Sequence, residues 1–295
     1  MSNQRPKRGS GAFRPRKRYK KFFFGVRTLP SASSLSLGCV LAKKLGNKTS
    51  ELFLKNSSET ILTNSTLLGL QTFSVIGYVL YARDKLFLQK KVLKKVFFSK
   101  EKLEPEKKKQ LYSKASELKA LVQITIKRAY EIPLLGEGTI EEKVLFLKKL
   151  SQTTPASIFS EFEYLDVESL TKGKGFQGPI KRYSVKRLSH KNSKKRRAIA
   201  TQGGKTPKHT RPTVGAAGQL GFFKRTEYNK LYLTTLPKEE FSNKVLKGVS
   251  LKNIHSILVV EGSVPGTRNR LVWLKKSLRK PFQVKENFKT SKVIW

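Results

Sequence analysis

The sequence predicts a mainly β chain with α additions, interrupted by one long basic segment without regular structure. Three observations predict it. Short apolar runs rich in β-branched residues are bounded by polar turns at both ends of the chain. A few stretches between them carry helical spacing or helix-start signals. Residues 171–226 hold sixteen Lys or Arg and no acid, with eight glycines by residue 221.

The chain has 295 residues, enough for one large or two ordinary domains with a buried core. Its 62 Lys and Arg against 20 Asp and Glu give a net charge of +42. Charge so one-sided repels itself unless a polyanion neutralises it, which points to nucleic acid or an anionic membrane. The membrane reading is weak, because the longest apolar stretch, "FSVIGYVLYA", falls short of the ~20 residues of a spanning helix. The densest basic stretches are also broken by Gly and Pro. A single cysteine, Cys39, excludes intrachain disulfides and Cys-rich zinc sites, and His190, His209 and His255 lie far apart without ligand spacing. No metal, no cofactor and a reducing compartment are expected.

Residues 1–36 form a basic N-terminal arm, expected to be largely non-regular. No acid precedes Glu51, a composition that suits an organelle presequence or an RNA-binding arm. The prolines in "RPKRGSGAFRPRKRYKK" would break a targeting helix, so an uncleaved arm is expected. Phe13, Tyr19 and the "FFF" at 22–24 could stack on bases or anchor it.

Residues 37–170 read as a globular mixture. "LGCVLAK", "ETILTN" and "SVIGYVLYA" are expected strands. "DKLFLQKKVLKKVFF" is expected to be a helix, with Leu88, Val92 and Val96 at four-residue spacing behind an Asp84 cap. A second helix is expected over "EPEKKKQLYSKASELKALV", where Pro105 suits the first turn and Leu111, Ala115, Leu118 and Val122 form one face. A third starts at Thr139, where "TIEE" makes a capping box with Glu142, and Ile140, Val144 and Leu147 form the apolar stripe.

Residues 171–226 lack apolar periodicity from Lys181 to Pro212, so the segment cannot bury enough apolar surface to fold alone. A loop of that length calls for an ordering partner. Gly173, Gly175 and Gly178 are spaced G-x-G-x-x-G, but a dinucleotide site needs that spacing between strand and helix, with an acid ~20 positions on. Here Pro179 follows directly and no acid occurs at that distance; no P-loop is present either. Glycines that admit a sugar-phosphate surface, interleaved with cations, fit RNA better. Arg182, Arg187, Arg196, Arg197 and Arg211 offer planar forks, and Phe176, Tyr183 and His190 offer rings for stacking. Lys172, Lys174, Lys181, Lys186, Lys194, Lys195, Lys205, Lys208, Lys224 and Arg225 complete the expected RNA-binding surface. A DNA-reading helix finds no frame in this stretch.

Residues 227–279 return to strands. "EYNKLYLTTL" alternates Tyr228, Leu231 or Tyr232, and Leu233, and "HSILVVEGSVPGTRNRLVWL" reads as two strands joined by the turn "EGSVPG". A basic tail, 280–295, follows.

Phe159, Asp166, Ser169, Thr171, Gly173-Lys174-Gly175, Gly178 and Arg182 reproduce, in order and spacing, the signature of the large-subunit ribosomal protein three family. "LGCVLAKKLGNKTSELF" resembles that family's N-terminal strand and its G-x-K-x-G-M-T turn, although Leu45-Gly46-Asn47 departs from the pattern. "TPKHTRPTVGAAGQLGFFKRTEYN" and "SILVVEGSVPGTRNRLVWL" resemble its later blocks, the second its closing hairpin. Lys205 stands where bacterial members carry a glutamine that can be methylated, so that modification is not expected here.

The resemblance covers about residues 37–280 and implies a translation-protein-type β-barrel with an inserted α+β portion and a basic extension that reaches through rRNA toward the peptidyl transferase centre. It implies a structural constituent of the large ribosomal subunit with a role in assembly and translation, partnered by large-subunit rRNA and neighbouring ribosomal proteins. No catalytic residue, membrane or homo-oligomer is implied. An RNA-binding assembly factor absent from the mature subunit is the alternative, and an enzyme acting on RNA would need acids that are missing where the cations gather. Both tails and the helices expected over 84–150 resemble lineage-specific additions. With the basic arm, this divergence resembles an organellar member, in the large subunit of the mitochondrial ribosome in the matrix, with another organellar ribosome as the alternative.

Overall fold

The structure, a computed structural model, describes residues 35–54, 60–83, 90–100, 104–125, 128–152, 163–204, 209–211, 213–239, 253–277 and 288–294. The described residues divide into two compact units: Leu170–Arg225, and the residues on either side of it.

The larger unit is built on strands. A short β1 (Ser36–Leu37) precedes β2 (Val40–Leu54), β3 (Thr60–Gln71), β4 (Ser74–Arg83) and β5 (Lys90–Phe97). Helix α1 (Pro105–Lys114), β6 (Glu117–Thr125), β7 (Arg128–Leu135) and helix α2 (Ile140–Gln152) follow, then β8 (Tyr164–Leu170). After the second unit come β11 (Lys224–Pro237), β12 (Ile254–Glu261), β13 (Leu271–Lys276) and β14 (Phe288–Ile294).

One sheet runs β13-β8-β11-β12-β3-β2-β14, and β13 also pairs with β2. That extra pairing, Leu271↔Lys43 to Leu274↔Val40, closes six strands into a barrel and removes its edges. Every second residue of its strands faces one core: Val40 and Ala42, Leu68 and Leu70, Leu165 and Val167, Leu258 and Val260, Val272 and Leu274. A second cluster, with Leu45, Leu67, Leu231, Leu233, Ile257 and Val259, collects the residues between them. Tyr232 belongs to the first cluster and its neighbours Leu231 and Leu233 to the second, so all three are buried. Leu45 is an extra residue in β2, where the register passes from Lys44↔Leu68 to Gly46↔Leu67. The turn expected there is a bulge in one continuous strand.

The other sheet is antiparallel in the order β1-β7-β6-β4-β5, and α2 packs on β4 and β6. The capping box forms as expected: the Glu142 amide donates to Thr139 Oγ1 at 3.3 Å, and the Thr139 amide donates to Glu142 Oε2 at 3.0 Å. Val144 and Leu147 are buried beneath it.

Several expectations are corrected here. Of the helix expected across 84–98, residues 90–97 form strand β5 and Phe98 begins a 3₁₀ turn (Phe98–Lys100), while Asp84 and Leu88 lie outside the described residues. A spacing of four fits one face of a helix and one face of a regular strand alike, and β-branched valine favours the strand; here the register slips at Leu93, so Val96 is buried and Val92 exposed. The second expected helix stops at Lys114. Ala115 turns into extended backbone, and both the amide and the hydroxyl of Ser116 donate to the Tyr81 carbonyl, at 2.8 and 3.1 Å. That capture delivers Leu118 and Val122 to β6 alongside β4.

The closing hairpin is also absent. β12 pairs with β11 and β3, and β13 with β8 and β2, so the two lie on opposite sides of the six-stranded ring. Their connection crosses the barrel end, where Lys44 Nζ donates to the Val264 carbonyl (2.5 Å) and the Gly266 carbonyl (3.3 Å). The expected basic tail contains β14, paired to β2 from Phe288↔Leu54 to Ile294↔Thr49.

Candidate nucleic-acid interface

Signature residues ahead of the glycines fasten the chain to itself. Asp166 Oδ1 accepts the Asn229 amide at 3.1 Å, and Ser169 Oγ donates to the Leu271 carbonyl at 3.1 Å. Thr171 Oγ1 accepts the Phe223 amide at 3.2 Å. Phe159 lies outside the described residues.

From there the second unit opens as a ribbon. Thr171, Lys174 and Phe222 amides reach the carbonyls of Phe223, Leu220 and Lys172, and the Leu220 amide reaches Gly175. Strands β9 (Phe176–Gln177) and β10 (Gly218–Gln219) continue this pairing. Gly221 is what lets the ribbon close. Its φ is +68°, and a Cβ there would sit 2.1 Å from the Lys172 carbonyl oxygen.

The three glycines singled out in the sequence behave differently. Gly173 has only ordinary contact with Phe222, and among the described residues no atom other than those of its own chain neighbours comes within 4 Å of a Cβ placed on Gly175 or Gly178. Gly175 takes φ +67°, whereas Gly178 has φ −68°, which any residue adopts. The fold therefore gives Gly178 no steric reason to be glycine.

Helix α3 (Pro179–Tyr183) follows, with proline in its first turn and Ser184 in the left-handed conformation at its end. Its Arg182 is committed within the unit: Nε donates to the Gln219 carbonyl (3.2 Å) and Nη1 to the Ala216 carbonyl (2.6 Å). The guanidinium also lies over the Tyr183 ring, 4.8 Å from its centroid. Gly218 lies against that guanidinium and Gly215 against the Tyr183 ring, with virtual Cβ distances of 3.0 and 3.3 Å. Sequence reasoning missed Gly215, Gly218 and Gly221. Their spacing of three in "GAAGQLG" was the available signal.

The remaining chain is irregular. The Leu188 amide bonds the Arg196 carbonyl at 3.1 Å, and a 3₁₀ turn covers Ser193–Lys195. Lys194, Lys195, Arg196 and Arg197 are exposed on this loop, as are Lys186, Arg187 and His190. Lys172, Lys174, Lys181, Arg211 and Lys224 are exposed too, and Arg225 lies over the Phe223 ring at 5.5 Å. Lys205 and Lys208 lie outside the described residues. With no carboxylate between Leu170 and Arg225, no cation of this unit can be neutralised inside it.

Among the described residues, no group of three or more His, Cys, Asp or Glu side chains could hold a metal, and no helix is long and apolar enough to cross a membrane. Buried Cys39 has its thiol pushed up to about 12 by burial, partly countered by the charge of Lys275.

Fold and site together define a class: a closed strand barrel bearing a glycine-rich cationic surface that calls for an anionic partner. A sequence model of the family described as Ribosomal protein L3 matches residues 122–292. The chain is 32% identical over 301 residues to the "Large ribosomal subunit protein uL3" of Nanoarchaeum equitans, covering 94% of this chain and 92% of the relative. It is 31% identical to the proteins of the same name from Methanococcus aeolicus (95% of this chain, 93% of the relative) and Archaeoglobus fulgidus (95% and 94%). The chain belongs to the ribosomal protein L3 family, whose members are structural ribosomal components and not enzymes.

Proposed function

We propose that the chain is a structural constituent of the large ribosomal subunit that binds and organises rRNA through residues 171–226. The observation that carries this reading is the surface of the Leu170–Arg225 unit: sixteen Lys and Arg with no acid, on a segment none of whose described residues past Leu170 joins a hydrophobic core cluster. Phosphates supply the missing countercharge. Gly178, which its own chain would allow to carry a side chain, leaves room for a backbone other than its own. The family resemblance supports an extension directed toward the peptidyl transferase centre and a role in subunit assembly. Small residues at Ala198, Ala200, Gly203 and Gly204 suit a chain threaded between RNA helices, with Arg196 and Arg197 neutralising phosphates that would otherwise repel one another.

The compartment reads differently. The mitochondrial assignment rests on an acid-free arm and on divergence, and an acid-free arm serves rRNA binding equally well. The archaeal relatives favour a ribosome of archaeal type.

Sedimentation tests retention. A mature constituent stays with large subunits in stoichiometric amount through a high-salt gradient, whereas an assembly factor is found only on precursor particles. On large-subunit rRNA, log affinity falls with log salt by roughly 0.7–0.9 per phosphate neutralised. A flat salt response contradicts phosphate binding.

A further inference from the structure

Three rings of the extension were singled out in the sequence for stacking on RNA, Phe176, Tyr183 and His190, and the structure separates them. The Tyr183 ring is partly covered, by the Arg182 guanidinium 4.8 Å from its centroid and by Gly215, and is 38% exposed. His190 is exposed on a turn that the Asn192 amide closes by bonding to the Ser189 carbonyl. Phe176 is different. It is 74% exposed, more than any other exposed large apolar residue described.

Its backbone is nevertheless held. Phe176 pairs with Gln219 across the ribbon, and on its far side the Gln177 side-chain amide donates to the Lys174 carbonyl at 2.5 Å. The glycines on either side, Gly175 and Gly178, have among the described residues no atom other than those of their own chain neighbours within 4 Å of a virtual Cβ. Lys172, Lys174 and Lys181 are exposed along the same short stretch. An uncovered ring on paired backbone thus sits between two open stretches of backbone and among cations for which this segment has no carboxylate.

We propose that Phe176 is the stacking platform for one unpaired nucleobase of rRNA, whose sugar-phosphate passes over Gly175 and Gly178. The proposal rests on the rRNA-binding reading above and names the element of RNA that this part of the surface takes. The charge around the ring favours RNA over an apolar pocket on a neighbouring protein. Burying the ring in such a pocket would also bury lysines for which this segment has no carboxylate, whereas a nucleotide brings its own phosphate. A paired base in an A-form helix has both faces covered by its neighbours, so an open ring requires an unpaired one. Stacking of this kind is tolerant of sequence, because every base has a π-face.

The test uses the full-length chain with three probes: a large-subunit rRNA transcript, single-stranded oligo(A), and a fully paired RNA duplex of equal charge. Phe176→Ala and Phe176→Leu should weaken binding to the transcript and to oligo(A) by about 5- to 150-fold, the range of aromatic-base stacking. Neither should change the slope of log affinity against log salt, since no cation is removed. Phe176→Trp should keep the affinity, and its added fluorescence should be quenched by oligo(A) but not by the duplex. Far-ultraviolet circular dichroism checks that each variant is folded. Wild-type affinity in Phe176→Leu, or equal quenching by the duplex, overturns the stacking proposal while leaving rRNA binding in place. Loss of an interaction with a neighbouring ribosomal protein, with RNA affinity unchanged, assigns the ring to a protein pocket. If the wild-type chain binds no RNA at all, both readings fall.

Discussion

The two units handle positive charge in opposite ways. In the larger unit, which holds all 20 of the chain's Asp and Glu, some lysines are held by carboxylates: Lys275 by the buried Glu168 at 2.9 Å, Lys276 by Glu163 at 2.7 Å, Lys230 by Glu227 at 2.9 Å and Lys95 by Glu131 at 3.1 Å. Between Leu170 and Arg225 there is no carboxylate to do the same. Apolar packing divides along the same line, because the barrel clusters draw no residue from 171–225. One unit therefore carries within itself the means of its own folding. The other holds its ribbon by backbone bonds, glycines and one committed arginine, and leaves its charge for a partner.

The largest expected effect breaks the comparison from the barrel side. Leu258→Ala removes a fully buried side chain from the barrel core and should destabilise the chain by about 2–5 kcal/mol, read from denaturant or thermal unfolding. The exposed pair Arg196→Gln and Arg197→Gln should leave stability within about 0.5 kcal/mol. It should instead flatten the salt slope for rRNA by roughly 0.7–0.9 for each phosphate that the pair no longer neutralises. A barrel-sized stability loss from the arginine pair would erase the distinction between the units.

Within the extension, glycine should divide in the same manner. Gly221→Ala forces a Cβ onto the Lys172 carbonyl at a left-handed φ. It should cost more than the ~1 kcal/mol typical of a strained Gly→Ala change and open the ribbon. Hydrogen exchange at Lys174 and Leu220 reads that opening. Gly178→Ala should leave exchange unchanged and weaken rRNA binding. If both variants alter exchange alike, Gly178 serves the fold.

The last effect belongs to the barrel alone and is absent at neutral pH. The thiol of Cys39 is raised to about 12 in the folded chain from an ordinary value of 9.0. Because the folded pKa is the higher one, its contribution to stability is complete below about pH 9 and is lost as pH rises toward 12. Cys39→Ala should lessen the alkaline loss of stability in that window. Identical alkaline profiles for the two chains would show that burial of the thiol does not drive it.

Legibility in the sequence follows the same physics. The α2 start was readable because a capping box places two side chains at fixed offsets from one turn. Strands β2, β3 and β4 were readable from their β-branched runs, and the cationic stretch from its composition. β5 and β6 were not, because a four-residue spacing serves helix and strand alike, and only the capture of Ser116 by the Tyr81 carbonyl ends α1. Barrel closure through β13 and β2 joins residues more than 200 positions apart, which local periodicity cannot report. Among the expected site residues, the exposed cations follow from composition. The commitment of Arg182 to the Ala216 and Gln219 carbonyls requires the fold.

The most direct test of the central contrast is hydrogen exchange across the whole chain, with and without large-subunit rRNA. The account predicts slow amides in β3, β8, β12 and β13 in both states. It predicts fast amides over 185–204 in the free chain that become slow only when rRNA is added. Slow exchange over 185–204 without RNA, or no change when RNA binds, would contradict it.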